Sequence, residues 1–295
     1  RSPPGRAAPG ANIKLEGPPV AAAAAEWAAV QQAQTRAVVW TALIDGVAVA
    51  EIDPRHLLSV LSTAWAVESN QSIINRVGMQ MSLRIIPQFI PVPEQDGAYA
   101  VLAKAASSML AQSEPGSSRA LVAARYVATW SADEELLRGW AFGDQLPEGL
   151  AGDSDFRWVV LCTLARRAAI GPAEIDAALE LDHTMQGNLK SLQAKASVPD
   201  KSAKEWAWEQ ITGDHGRSNY ELKALATGFW HANDQDILRP YVARYFSDVP
   251  ALSARVGEDA LARVATVAYP SWMVEASTAE PSAAALRRTD LTAPH

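Results

Sequence analysis

The sequence predicts an all-α fold, an irregular α-solenoid in which short antiparallel helix pairs form a HEAT- or armadillo-like superhelical array. Three observations predict it. Apolar residues recur at helical spacing almost without a break from about Val20 to Tyr269. Helix-start signals follow one another closely along the same stretch. Short hairpins of this kind cannot bury their apolar faces alone, so successive pairs stack. With 48% hydrophobic residues in 295, the chain can fill a core for one large domain or two ordinary ones.

In chain order, residues 1 to 19 hold many Pro and Gly and read as a linker or extended segment, and the opening Arg1 to Arg6 looks like a linker or the edge of something larger. Asn12 to Glu16 alternates polar and apolar and suits a strand or extended stretch. Residues 20 to 295 form the helical array. Asp53-Pro54 and Gly171-Pro172 place proline at a first helical position, where its missing N–H costs nothing. Leu57, Leu58, Leu61 and Trp65 make one apolar stripe, and Trp158, Leu161, Leu164 and Ala165 another.

Ser131-Ala132-Asp133-Glu134, Ser202-Ala203-Lys204-Glu205 and Ser218-Asn219-Tyr220-Glu221 each fit a capping box. Ser218 then starts a helix with Leu222, Leu225, Ala226 and Phe229 on one face. Asn233 or Asp234 starts the next, with Ile237, Tyr241, Val242 and Tyr245 inward. The short link between them favours antiparallel neighbours. Short helices of this kind number on the order of 12 to 16. Pro91-Val92-Pro93 and Pro115-Gly116 mark turns, and the stretch near 143 to 155, with Pro147, Gly149 and Gly152, marks a subdomain boundary. After Pro270 the helical pattern weakens. The ten tryptophans act as wedges between layers.

The net charge is −7, which argues against a nucleic-acid partner. No apolar run reaches spanning length, about 20 residues, so no membrane partner is expected. One cysteine, Cys162, makes no internal disulfide and sits in an apolar run as a small hydrophobe. A cytoplasmic location follows from these readings. No two of the five histidines have His-Glu-x-x-His spacing, and no phosphate-binding glycine loop or Gly-x-Ser-x-Gly elbow occurs. Catalytic and metal-ligating residues are therefore expected to be absent from this chain. Arg84, Arg125, Lys223, Arg244 and Arg263 lie on otherwise apolar helices. They either reach to water past an apolar surface or meet an acidic group or peptide carboxylate. Tyr241 and Tyr245 join them as chamber or domain-interface candidates.

Several stretches carry a family resemblance: Asn12 to Glu16, Arg36 to Leu43, Glu68 with Asn70, Asp155 to Leu161, Ala173 to Asp182, Gly228 to Trp230 and Pro240 to Phe246. In order and spacing they resemble the C-terminal helical domain of aminopeptidase N in its actinobacterial form, an endoplasmic-reticulum-aminopeptidase-like C-terminal domain. The resemblance covers roughly Ala11 to Glu275. It implies a parent enzyme of the gluzincin type that removes N-terminal residues from peptides. Zinc and the Gly-x-Met-Glu-Asn motif would belong to a catalytic domain upstream, and this chain alone should be inactive. It also implies a lid or bowl over that domain, with the catalytic domain of the same parent chain and peptide substrates as partners. Two other readings stand beside it. One is a stand-alone α-solenoid scaffold that binds a protein partner; the other is a helical enzyme with a site assembled in space.

Overall fold

The computed structural model describes residues 27, 30, 32–143, 145–231, 234–271, 273, 276–285 and 287. The segment read as a linker, 1 to 19, lies outside the described residues. Among the described residues all regular structure is helical, as the sequence predicts. The chain forms two compact units that divide between Gln112 and Ser113. The stretch near 143 to 155 is a connection inside the second unit.

The first unit comprises α1 (Ala33–Ala48), α2 (Pro54–Val60), α3 (Gln71–Gln80), α4 (Ile86–Phe89) and α5 (Val92–Ala111). Asp53 accepts from the Arg55 N–H at 2.8 Å and caps α2 with Pro54 behind it. Two π-helical turns, Leu61–Trp65 and Met81–Ile85, extend α2 and α3. The stripe of Leu57, Leu58, Leu61 and Trp65 is buried, as are Ile74, Met81 and Leu102, and Trp65 Nε1 donates to the Ile74 carbonyl at 3.2 Å. Glu68 has a fully buried side chain and accepts from Arg36 at 2.8 and 2.9 Å. It also accepts the N–H groups of Ser69 and Asn70, each at 2.9 Å. Burial alone would raise its pKa, but the Arg36 pair and these two N–H groups hold it below the ordinary carboxylate value.

The second unit comprises α6 (Ser118–Trp130), α7 (Glu134–Phe142), α8 (Ser154–Arg166), α9 (Pro172–Leu179) and α10 (Met185–Ser197). It continues with α11 (Lys201–Thr212), α12 (Asn219–Phe229), α13 (Gln235–Ala251), α14 (Glu258–Ala268) and α15 (Ala276–Ala285). Every second helix packs on the next but one, so α6, α8, α10, α12 and α14 lie side by side. Helices α11, α13 and α15 follow one another in the same way, and α11 packs on both α10 and α12. Stacked helix pairs produce this alternation, and a solenoid is compatible with it.

The start signals fall in three groups. The Ser218 box forms as read: the Glu221 N–H reaches the Ser218 hydroxyl at 3.3 Å, and the Ser218 N–H reaches Glu221 Oε2 at 2.8 Å. At the other two boxes an aspartate takes the cap. Asp133 accepts from Leu136 N–H at 3.0 Å, and Asp200 accepts from the N–H groups of Ser202 and Ala203 at 2.8 and 2.9 Å. A carboxylate is the stronger acceptor there, because it carries a charge to meet the positive helix end. Elsewhere Gly171 precedes Pro172, with Glu174 accepting its N–H at 3.1 Å. Beyond Pro270, where the pattern weakens, α15 still forms and packs on α13, and Tyr269 Oη lies 2.9 Å from Ser282 Oγ.

Tryptophans do sit between layers. Trp208 is fully buried with Phe229 at 5.1 Å and Tyr241 at 5.3 Å between ring centroids. Its Nε1 donates to Asp248 at 2.8 Å. On α13 the buried stripe is Leu238, Tyr241, Val242 and Val249, while Ile237 and Tyr245 are half-buried. At the α10/α12 seam a Cβ on Gly228 would overlap the Gln193 carbonyl oxygen, so only glycine permits the observed approach.

Trp158 is 2% exposed and its Nε1 donates to Asp182 at 2.9 Å. Trp158→Ala is expected to lower stability by about 3–5 kcal/mol in urea denaturation, because it opens a cavity and removes the indole donor to Asp182. Trp158→Phe keeps most of the ring and should cost about 1–2 kcal/mol. A loss below about 1 kcal/mol for the alanine variant would contradict this packing.

Candidate functional site

Among the described residues no group of three or more His, Cys, Asp or Glu is placed to hold a metal ion. His231 is kept neutral: burial, then the neighbouring Arg166 and Lys204 charges, push its pKa well below the ordinary imidazole value. Burial pushes the Cys162 thiol up to about 11, and its Sγ lies 3.9 Å from the Lys190 carbonyl. A thiol held protonated in this way is a poor nucleophile.

The seven residues singled out from sequence fall into different settings. Arg84 lies in the first unit, half-buried in the π-helical turn after α3. The other six belong to the second unit. Arg125 on α6 pairs with Asp153 at 2.5 Å and lies over the Phe156 ring. Tyr241, Arg244 and Tyr245 share α13 and are engaged internally. Arg244 binds Glu205 at 2.9 Å and Asp248 at 3.3 Å while covering the Trp208 and Tyr241 rings. The Tyr241 hydroxyl donates to Glu205 at 2.8 Å, and the Tyr245 hydroxyl donates to the Ala265 carbonyl at 2.9 Å. Lys223 on α12 and Arg263 on α14 are exposed, and their side chains make no hydrogen bond or ion pair with the described residues.

Sequence reading missed a fully buried charge in the second unit. Lys204 has no exposed side-chain surface. Its Nζ donates to the carbonyls of Ala196 at 2.9 Å and Phe229 at 2.8 Å, and it faces Asp234 Oδ2 at 3.4 Å. One ammonium thus closes the C-terminal ends of α10 and α12 and meets the start of α13. A signal was present in the sequence: Lys204, Trp208 and Ile211 follow one another at helical spacing, so the lysine lies on the apolar stripe. Lys190 was missed as well. It sits half-buried on α10 and donates to Gln193 at 3.3 Å.

A cleft of about 340 Å³ lies between α7, α8 and α9, walled by Phe142, Trp158, Ala177 and Leu181. Arg157 enters it with no ion-pair partner among the described residues, and Asp153 and Asp182 also line it. Charges of both signs leave the cleft without a clear preference for a cation or an anion. The unpaired positive charge is clearer on the exposed side of α10, α12 and α14.

The buried lysine makes stability depend on pH. Burial pushes its pKa down to about 8 from 10.5, although Asp234 and Asp200 pull it back up. Between those values the unfolded chain holds the proton more firmly, so stability at this site rises as pH rises from 8 towards 10.5. Below pH 8 the folded chain carries the full cost of the buried charge. The stability of the parent chain relative to Lys204→Met should therefore rise by on the order of 2 kcal/mol from pH 7.5 to pH 10 in urea denaturation. A difference independent of pH would show that the ammonium is not desolvated.

The sequence profile of the ERAP1-like C-terminal domain family matches residues 21–285. Aminopeptidase N of Streptomyces lividans is 29% identical over 266 residues, an alignment that covers 86% of this chain and 31% of that protein. The chain thus spans about a third of the length of the relative it matches. The residues matched take in nearly all of both helical units, and on that ground the chain belongs to the ERAP1-like C-terminal domain family.

Proposed function

We propose that this chain is the non-catalytic C-terminal helical domain of a cytoplasmic zinc aminopeptidase N. It closes over the catalytic domain and encloses a peptide chamber, and the full-length enzyme removes N-terminal residues from peptides. The observation that carries this reading is the alignment with the Streptomyces aminopeptidase N, which uses most of this chain and only 31% of the relative. The remaining length of such a protein leaves room for a separate peptidase domain. This sequence holds no His-Glu-x-x-His, so the zinc ligands would belong to that domain.

The packing supports a wall in preference to a catalytic centre. Arg125, Tyr241, Arg244 and Tyr245 are engaged within the second unit, holding neighbouring helices in register. Lys223 and Arg263 remain directed to solvent, where a chamber wall or a domain interface would meet its contents.

The test uses the parent enzyme with and without this segment, together with the isolated chain. The isolated chain should bind no stoichiometric zinc and hydrolyse no aminoacyl-p-nitroanilide. The parent lacking the segment should still cleave the small anilide but lose at least tenfold of its discrimination between short and long peptides. Turnover with stoichiometric zinc in the isolated chain, or unchanged size discrimination, would overturn the reading.

A further inference from the structure

We propose that the exposed side of α10, α12 and α14 binds acidic polypeptide segments through Lys190, Lys223 and Arg263. The proposal rests on the reading of this domain as a surface that meets peptides, and it adds the chemistry of the peptide.

Contacts fix the relative heights of these helices. Lys204 joins the Ala196 and Phe229 carbonyls at the same end of α10 and α12. Gly228 abuts Gln193 across that seam. Trp230 Nε1 donates to the Ala268 carbonyl at 2.6 Å, which ties α12 to α14. Counting back from these ties at about 1.5 Å per residue puts Lys190, Lys223 and Arg263 within roughly one helical turn of a common level.

Lys223 and Arg263 also point away from the buried faces of their helices. Helix α12 packs on α10, α14 and α11. It buries Leu222, Leu225, Ala226 and Phe229 and exposes a stripe with Lys223 and Thr227. Helix α14 buries Ala260, Val264 and Ala268 and exposes Arg263.

These cations are not neutralised locally. The Lys223 and Arg263 side chains have no partner among the described residues, and Lys190 has the neutral amide of Gln193. The carboxylates of α12 and α14 stand in their first turns, Glu221 and then Glu258 with Asp259, where they answer the positive helix ends. Glu221 is further engaged by Ser218 and Arg217. Three unpaired cations at one level in a chain of net charge −7 are a local reversal of sign.

Spacing favours a polypeptide as the anion. Adjacent packed helices lie about 8–10 Å apart, and an extended peptide advances about 3.3 Å per residue. A peptide crossing the helices therefore meets a new cation about every third residue. A nucleic acid carries charge more densely than this row supplies and is repelled by the chain as a whole.

The test is fluorescence anisotropy on this chain with three labelled probes. These are an extended peptide with glutamate at every third position, its glutamine counterpart and a single-stranded oligonucleotide of matched charge. The glutamate peptide should bind at least tenfold more tightly than the glutamine peptide. The double variant Lys223→Glu/Arg263→Glu should weaken it at least tenfold. Both side chains are exposed, and an unchanged thermal melt verifies the fold. Equal binding of the two peptides, no effect of the double variant, or tighter binding of the oligonucleotide overturns the proposal. No turnover is measured, so failure here leaves the chamber reading standing, and failure of the size-discrimination test leaves the binding result intact.

Discussion

The second unit depends on one buried lysine. Lys204 is enclosed with no side-chain exposure, and its charge is met by two main-chain carbonyls and one carboxylate. A charge removed from water is tolerable only where its donors are satisfied, and removing one partner of such a set is more damaging than never burying it. The carbonyls it uses close α10 and α12, at helix ends that carry partial negative charge and lack partners inside their own helices. Satisfying the lysine therefore brings two helix ends together. Gly228 lets the backbones approach closely enough for this to happen. The aromatic cluster of Trp208, Phe229 and Tyr241 then fills the space beside the charge.

The first unit solves a similar problem with the sign reversed. Glu68 is a fully buried anion just before α3, and it takes N–H groups from Ser69 and Asn70 as well as the Arg36 fork. In each unit a long-range polar link at a helix end sets register, while apolar stripes supply most of the burial. This division of roles suits a fold of many short helices. Leucine and tryptophan stripes pack in more than one register, and a buried charge with fixed partners excludes the alternatives.

Local signals in the sequence were legible, and distant ones were not. The stripes of Leu57 to Trp65 and Trp158 to Ala165 are buried as read, and the Ser218 box forms, because each depends on residues within one or two turns. The Ser131 and Ser202 boxes gave way to Asp133 and Asp200, since a nearby carboxylate competes successfully for the same N–H groups. The two π-helical turns left no recognisable mark in the sequence. Among the candidate residues, Arg125 and Arg244 acquire partners 28 and 39 residues away, which no helical periodicity reveals. Lys223 and Arg263 were visible as cations on apolar helices, but their shared level comes only from contacts between α10, α12 and α14. Family membership was legible through scattered stretches in the right order, a property of the whole chain that no single motif carries.

The central structural claim is that Lys204 fastens α10, α12 and α13 as one cooperative element. Amide hydrogen exchange on the parent chain and on Lys204→Met tests it most directly. The account predicts that protection falls together at the C-terminal turns of α10 and α12 and the first turn of α13, while residues 33–111 of the first unit keep theirs. Loss confined to α11, or an even loss across both units, would contradict it.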